Sequence, residues 1–200
     1  MKRAEKRSVP SLRQPSRWPS AARRGFTLVE LLITVAMIGV LAALALVGYR
    51  RFIHASQSSE AKSVIQMIRG GEEAYKSEML VYLSPSHSLT DWYPNTAPND
   101  SRMTWSQSGD TRYTDSNQGW ALLNVNPDAP VRFGYVAMAG IGNPMTQPSV
   151  MSSPPTMPVL PAGVPWYIVQ AENDHDNNGI FAVFCSSSVS SEILSENEQE

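Results

Sequence analysis

Residues 26–49 read FTLVELLITVAMIGVLAALALVGY, and in these 24 positions Glu30 is the one charged side chain. At 1.5 Å per residue a helix of this length spans about 36 Å, enough to cross a hydrocarbon core of about 30 Å with some tilt. A 200-residue chain has too little other apolar mass to wrap such a helix inside a soluble core. The segment therefore reads as a membrane span.

Its flanks set the orientation. Residues 1–24 hold eight basic side chains (Lys2, Arg3, Lys6, Arg7, Arg13, Arg17, Arg23 and Arg24) against Glu5, and the rest of the chain carries eight basic against 17 acidic residues, a formal −9. Lys and Arg stay on the cytoplasmic side, so the N-terminus is expected inside and the bulk of the chain outside. Because a membrane segment follows the basic arm, no nucleic-acid partner is implied. The lone Cys185 excludes an intrachain disulfide framework and a Cys-rich zinc site. An apolar fraction of 42% is too high for a chain that stays disordered.

Three export readings compete. A secretory signal peptide would use Ala43-Leu44-Ala45 for cleavage, but its apolar core is typically about 7–15 residues and carries no carboxylate. A twin-arginine signal at Arg23-Arg24 leaves Glu30 equally unexplained. In the third, Arg24-Gly25-Phe26-Thr27-Leu28-Val29-Glu30-Leu31-Leu32 is a processing site. A basic leader ending in Gly, then Phe-Thr-Leu-x-Glu-Leu and about twenty apolar residues, closely resembles the type IV pilin and pseudopilin family.

The resemblance implies that prepilin peptidase cuts between Gly25 and Phe26 and methylates the new amine. It also implies an inner-membrane precursor whose head lies outside, polymerised with other pilins into a periplasmic or surface filament. Adhesion or motility pili, secretion pseudopili and DNA-uptake fibres all share the motif. A leader of 25 residues containing Pro10, Pro15 and Pro19 is longer than the family's usual half dozen, and no second Met precedes Gly25.

Physical chemistry supplies a reason for Glu30. A carboxylate inside a bilayer costs about 2.5 kcal/mol or more without a partner. Cleavage creates one, because the α-amino group of Phe26 is a cation that can pair with Glu30 of a neighbouring subunit and set the register of assembly. Snorkelling of Glu30 to the headgroups is the plainer account.

Beyond the span, apolar residues at Phe52, Ala61, Val64, Ile65, Ile68, Tyr75 and Met79 recur at helical spacing. No proline lies between Pro19 and Pro85, so the span is expected to continue through residues 50–80 as one helix of roughly 54 residues, with Gly70-Gly71 as its weak point. Residues 81–200 read as a β head with four strands at Gly119–Val125, Val131–Ala139, Pro165–Ala171 and Gly179–Cys185. Short connections favour antiparallel pairing, one face on the helix and the other towards solvent or neighbours. The expected fold is α+β, which the resemblance also implies.

Two insertions interrupt the head. Residues 81–118 carry Trp92, Tyr93, Trp105 and Tyr113 in a polar context, either as anchors to the sheet edge or as an exposed contact surface. Residues 141–163, rich in Pro and Met, read as a surface loop. Scattered histidines (His54, His87, His175) and the lack of a nucleophile elbow or phosphate loop argue against an enzyme, and Cys185 reads as a buried small residue.

One constellation remains. Asp174-His-Asp176-Asn-Asn178-Gly179 matches the opening half of a calcium loop, but the position of the closing bidentate Glu is Cys185. A tight hairpin turn needs the same residue types. Some pseudopilins hold calcium in this part of the head, so Asp174, Asp176 and Asn178, with Glu172, are candidate ligands. Beside the filament subunit, the alternative is a membrane-anchored or exported binding protein whose head captures a ligand.

Overall fold

A computed structural model describes residues 25–106, 119–142 and 146–198. The first helix, α1, runs from Leu28 to Met79, 52 residues without a break. Gly70-Gly71 does not interrupt it. The chain divides into two compact units, Met1–Leu44 and Ala45–Glu200.

In the first unit the described helical residues leave their apolar side chains exposed, Leu28, Leu32, Leu41 and Leu44 among them. An 18-residue window of α1 reaches a mean hydropathy of 2.7 with none of it buried. By length and composition this helix can cross a membrane.

The second unit is α+β, built on a five-stranded antiparallel sheet. Its strands are β1 (Tyr93–Pro94), β2 (Gly134–Ile141), β3 (Pro165–Asn173), β4 (Ala182–Ser187) and β5 (Ser190–Glu196), in spatial order β1-β2-β3-β4-β5. Pairing of Gly134 with Glu172 and of Ile141 with Pro165 fixes the central register. Side chains on β3 alternate. Tyr167, Val169 and Ala171 face a core shared with Ala61, Val64, Ile65 and Ile68 of α1, whereas Trp166 and Ile168 face the opposite way with Cys185. Each fully buried apolar chain such as Ile65 contributes about 1.5–3 kcal/mol. Phe52 and Met79, expected on the same helical stripe, are exposed.

Three expectations are corrected. Gly119–Val125 is not a strand: Gly119–Leu122 forms a short helix, α2. Trp120 and Leu123 are buried while Leu122 is half exposed, a spacing of three that suits a helical turn rather than a pleat. Second, β5 was absent from the expected set because Ser190-Ser-Glu-Ile-Leu-Ser-Glu196 is polar and mostly exposed, as an edge strand tolerates. Third, the outer face of the sheet is covered. Met151, Met157 and Leu160 of the proline-rich segment pack on the cluster of Trp166, Ile168 and Cys185, so this loop completes a second apolar layer.

The aromatics of residues 81–118 anchor. Trp92, Tyr93 and Trp105 are buried. Trp105 meets Tyr93, Trp120 and Tyr135 with ring centroids 4.9, 5.2 and 5.7 Å apart. Tyr113 lies outside the described residues.

Candidate functional site: the N-terminal segment

Gly25, Phe26 and Thr27 precede α1 as non-helical chain, and all three are exposed. Among the described residues a Cβ at Gly25 would meet nothing within 4 Å, which leaves the Gly25–Phe26 peptide bond open on that side. The first helical turn is capped by its own side chains. Thr27 donates from its backbone amide and its hydroxyl to Glu30 Oε2, both at 3.1 Å, and the Glu30 amide donates back to Thr27 Oγ1 at 3.2 Å. This reciprocal arrangement is a capping box, which satisfies amides that the first turn leaves without intrahelical partners. A carboxylate there also opposes the positive end of the helix dipole.

Capping is a role for Glu30 that the reading from bilayer cost alone missed. The signal was present as Thr27-x-x-Glu30, the spacing that defines such a box. Among the described residues Oε1 takes no hydrogen bond, so one oxygen secures the chain's own helix and the other is open to an external cation.

The acidic turn between β3 and β4 is held by its own amides. Asp174, buried, accepts from the Asn178 amide at 3.1 Å and the Gly179 amide at 2.9 Å, one on each carboxylate oxygen. Asp176 accepts from the Asn178 amide at 3.2 Å and from its side-chain amide at 3.0 Å, and Asn178 Oδ1 accepts from Ile180 at 2.6 Å. Asn177 and Gly179 have positive φ, at 58° and 85°, which Asn and Gly adopt at low cost. Among the described residues no three His, Cys, Asp or Glu side chains are grouped to hold a metal. Glu172, on β3 beside the turn, has its carboxyl pushed up to about 7 by burial. These contacts are those of a self-capped hairpin turn.

The fold gathers polar residues that are far apart in sequence. His175 Nδ1 lies 2.8 Å from Asp100 Oδ1 and 3.3 Å from Gln57 Nε2, and Asp100 also pairs with Arg132. The His54 ring stands edge-on to His175 with centroids 6.0 Å apart. These contacts tie α1 to the residue 94–103 loop and to the β3–β4 turn. Cys185 is buried, and burial pushes its thiol up to about 12, which leaves it unreactive at neutral pH.

Residues 20–46 match the family described as the prokaryotic N-terminal methylation motif. Fimbrial protein EcpC of Eikenella corrodens is 42% identical over 60 residues, 30% of this chain and 39% of that protein. Type IV major pilin protein PilA of Myxococcus xanthus is 44% identical over 55 residues, 28% of this chain and 25% of that protein. Type IV major fimbrial protein FimA of Dichelobacter nodosus is 50% identical over 42 residues, 21% of this chain and 26% of that protein. The chain thus matches between a quarter and two fifths of the length of these relatives. No solved structure matches the chain. An open Gly-Phe bond, a capped helix start and an exposed apolar helix sit within the matched residues: over this segment the chain carries the prokaryotic N-terminal methylation motif and is similar to the type IV pilins.

Proposed function

We propose that the protein is a structural subunit of a type IV pilus-like or pseudopilus filament. In this reading residues 1–25 are a leader removed by prepilin peptidase, and Phe26 becomes the methylated N-terminus. Residues 26–49 anchor the precursor in the inner membrane and later pack against other pilins, residues 50–80 continue the helix, and residues 81–200 form the head outside. One observation carries the reading. A helix whose apolar N-terminal stretch has no buried side chain begins at Leu28, two residues past the Gly25–Phe26 bond of a matched methylation motif. Exposed apolar surface on that scale needs lipid or copies of itself to cover it.

The rival reading, a monomeric ligand-capturing head, relied on exposed aromatics. Trp92, Tyr93 and Trp105 are instead consumed by the core.

Glu30 separates capping from intersubunit pairing. Glu30→Gln keeps an oxygen for the Thr27 donors but removes the charge, and Glu30→Ala removes both. If Glu30 pairs with a neighbour's Phe26 amine, both variants enter sheared filaments at least about tenfold less than wild type, since an unpaired buried cation costs well over 1.4 kcal/mol. Immunoblots of sheared and whole-cell fractions read this directly. Normal incorporation of Glu30→Gln would leave capping as the whole role.

A further inference from the structure

The helix face just beyond the apolar segment is lined by Val47, Arg50, Arg51, His54 and Ser58, which open onto a cavity of about 690 Å³ bounded on its far side by Glu198. These helix positions follow the spacing of a single stripe, so both guanidinium groups border one space. Arg50 and Arg51 are exposed, and among the described residues neither makes a hydrogen bond or ion pair. They are two of the eight basic residues in an otherwise acidic stretch after the leader, placed directly after Tyr49. Cations are depleted on the outer flank of a membrane span, so an adjacent pair there calls for a binding partner at that depth.

We propose that Arg50 and Arg51 form a binding site for the phosphate of an anionic phospholipid headgroup at the outer membrane surface. This rests on the reading of residues 26–49 as a membrane span. Guanidinium groups suit the task, because their planar forks bind phosphate oxygens in pairs and stay charged at every physiological pH. A cavity of this size admits a headgroup glycerol beside the phosphate, and Val47 presents an apolar wall where acyl chains begin. Glu198 does not cancel the site. Its Oε1 is held by Lys62 Nζ at 2.8 Å, and that contact keeps the carboxylate engaged with a cation of its own. The site serves the precursor, holding the head at the membrane surface until the helix leaves the bilayer.

The test uses the full chain purified in a neutral detergent, with dihexanoyl phosphatidylglycerol, dihexanoyl phosphatidylcholine and inorganic phosphate as probes. Phosphatidylglycerol is expected to bind at least about tenfold more tightly than phosphatidylcholine, by thermal shift or native mass spectrometry. Arg50→Gln/Arg51→Gln should abolish that preference while leaving the melting temperature of the lipid-free protein unchanged. Inorganic phosphate should bind far more weakly than phosphatidylglycerol. Equal affinity for the two lipids, or a preference that survives in the double variant, overturns the site. Inorganic phosphate binding as tightly as phosphatidylglycerol overturns the lipid as its source. Because the measurement needs no filament, its failure leaves the filament reading standing, and normal assembly of Glu30→Gln leaves the lipid preference untouched.

Discussion

Gly71→Ala is expected to destabilise the second unit by about 3 kcal/mol, whereas Gly70→Ala next to it should stabilise by about 0.5–1 kcal/mol. Both glycines lie in α1, where propensity alone favours Ala over Gly at either position. Their surroundings differ. A Cβ at Gly71 would lie 2.4 Å from the carbonyl oxygen of Leu123 and 3.3 Å from its carbonyl carbon, while a Cβ at Gly70 would meet nothing within 4 Å. The obstructing atoms are backbone and cannot swing away. Leu123 is buried beside Trp120, and the next residue, Asn124, has a φ of 51° with its amide bonded to the Ala121 carbonyl at 3.2 Å. Yielding would therefore require α2 to leave the core. Urea unfolding of residues 45–200 measures both variants, and a domain of this size should lose roughly 6–12 °C in Tm for the first. Expectations of opposite sign for neighbouring residues make the comparison demanding. A loss at Gly70 as large as that at Gly71 would mean that helix flexibility, not the close approach of Leu123, explains the glycines.

Stability of the same unit should fall as pH rises from about 5 to about 9. Glu72 is fully buried in α1; its Oε2 accepts the Leu83 amide at 2.9 Å, and among the described residues its Oε1 has no partner. Burial pushes its carboxyl up to about 8; the Leu83 hydrogen bond opposes the shift and the charge of Glu73 adds to it. A raised folded pKa means that the native state holds a proton which the unfolded chain has already released. The contribution is intact below the ordinary carboxylate pKa of 4.5 and is lost as pH climbs to about 8. Glu172, pushed up to about 7 by burial, adds in the same direction. Together they should cost about 2–4 kcal/mol between the two pH values. Glu72→Gln keeps an acceptor for Leu83 and removes the titration, so it should flatten more than half of the slope. A slope that persists in full in Glu72→Gln would assign it to other groups.

Helix α1 was legible because its signals are local: an apolar run, then a stripe at spacing of three and four, with no proline to stop it. Strands β2, β3 and β4 were legible to within a few residues for the same reason. What failed was non-local. Trp120 and Leu123 could be placed only by knowing that Leu123, just past α2, lies against Gly71 and that Gly119 lies against Pro85. The polar sequence of β5 hides its pairing, since its one ladder partner is β4 and its side chains are exposed or only half-buried. The burial of Glu72 and the meeting of His54 with His175 likewise depend on contacts between distant segments. At the N-terminus the motif marks Gly25, Phe26 and Glu30 directly, whereas the cap formed by Thr27 follows only from the Thr27-x-x-Glu30 spacing.

In the proposed reading this chain becomes a filament subunit by processing at one bond, which intact mass spectrometry of the protein recovered from cells reads out. The expected product is a mature chain that begins at Phe26 and carries one added methyl group on its α-amine. A chain that still begins at Met1, or one cut near Leu46 with the apolar segment removed, would contradict it.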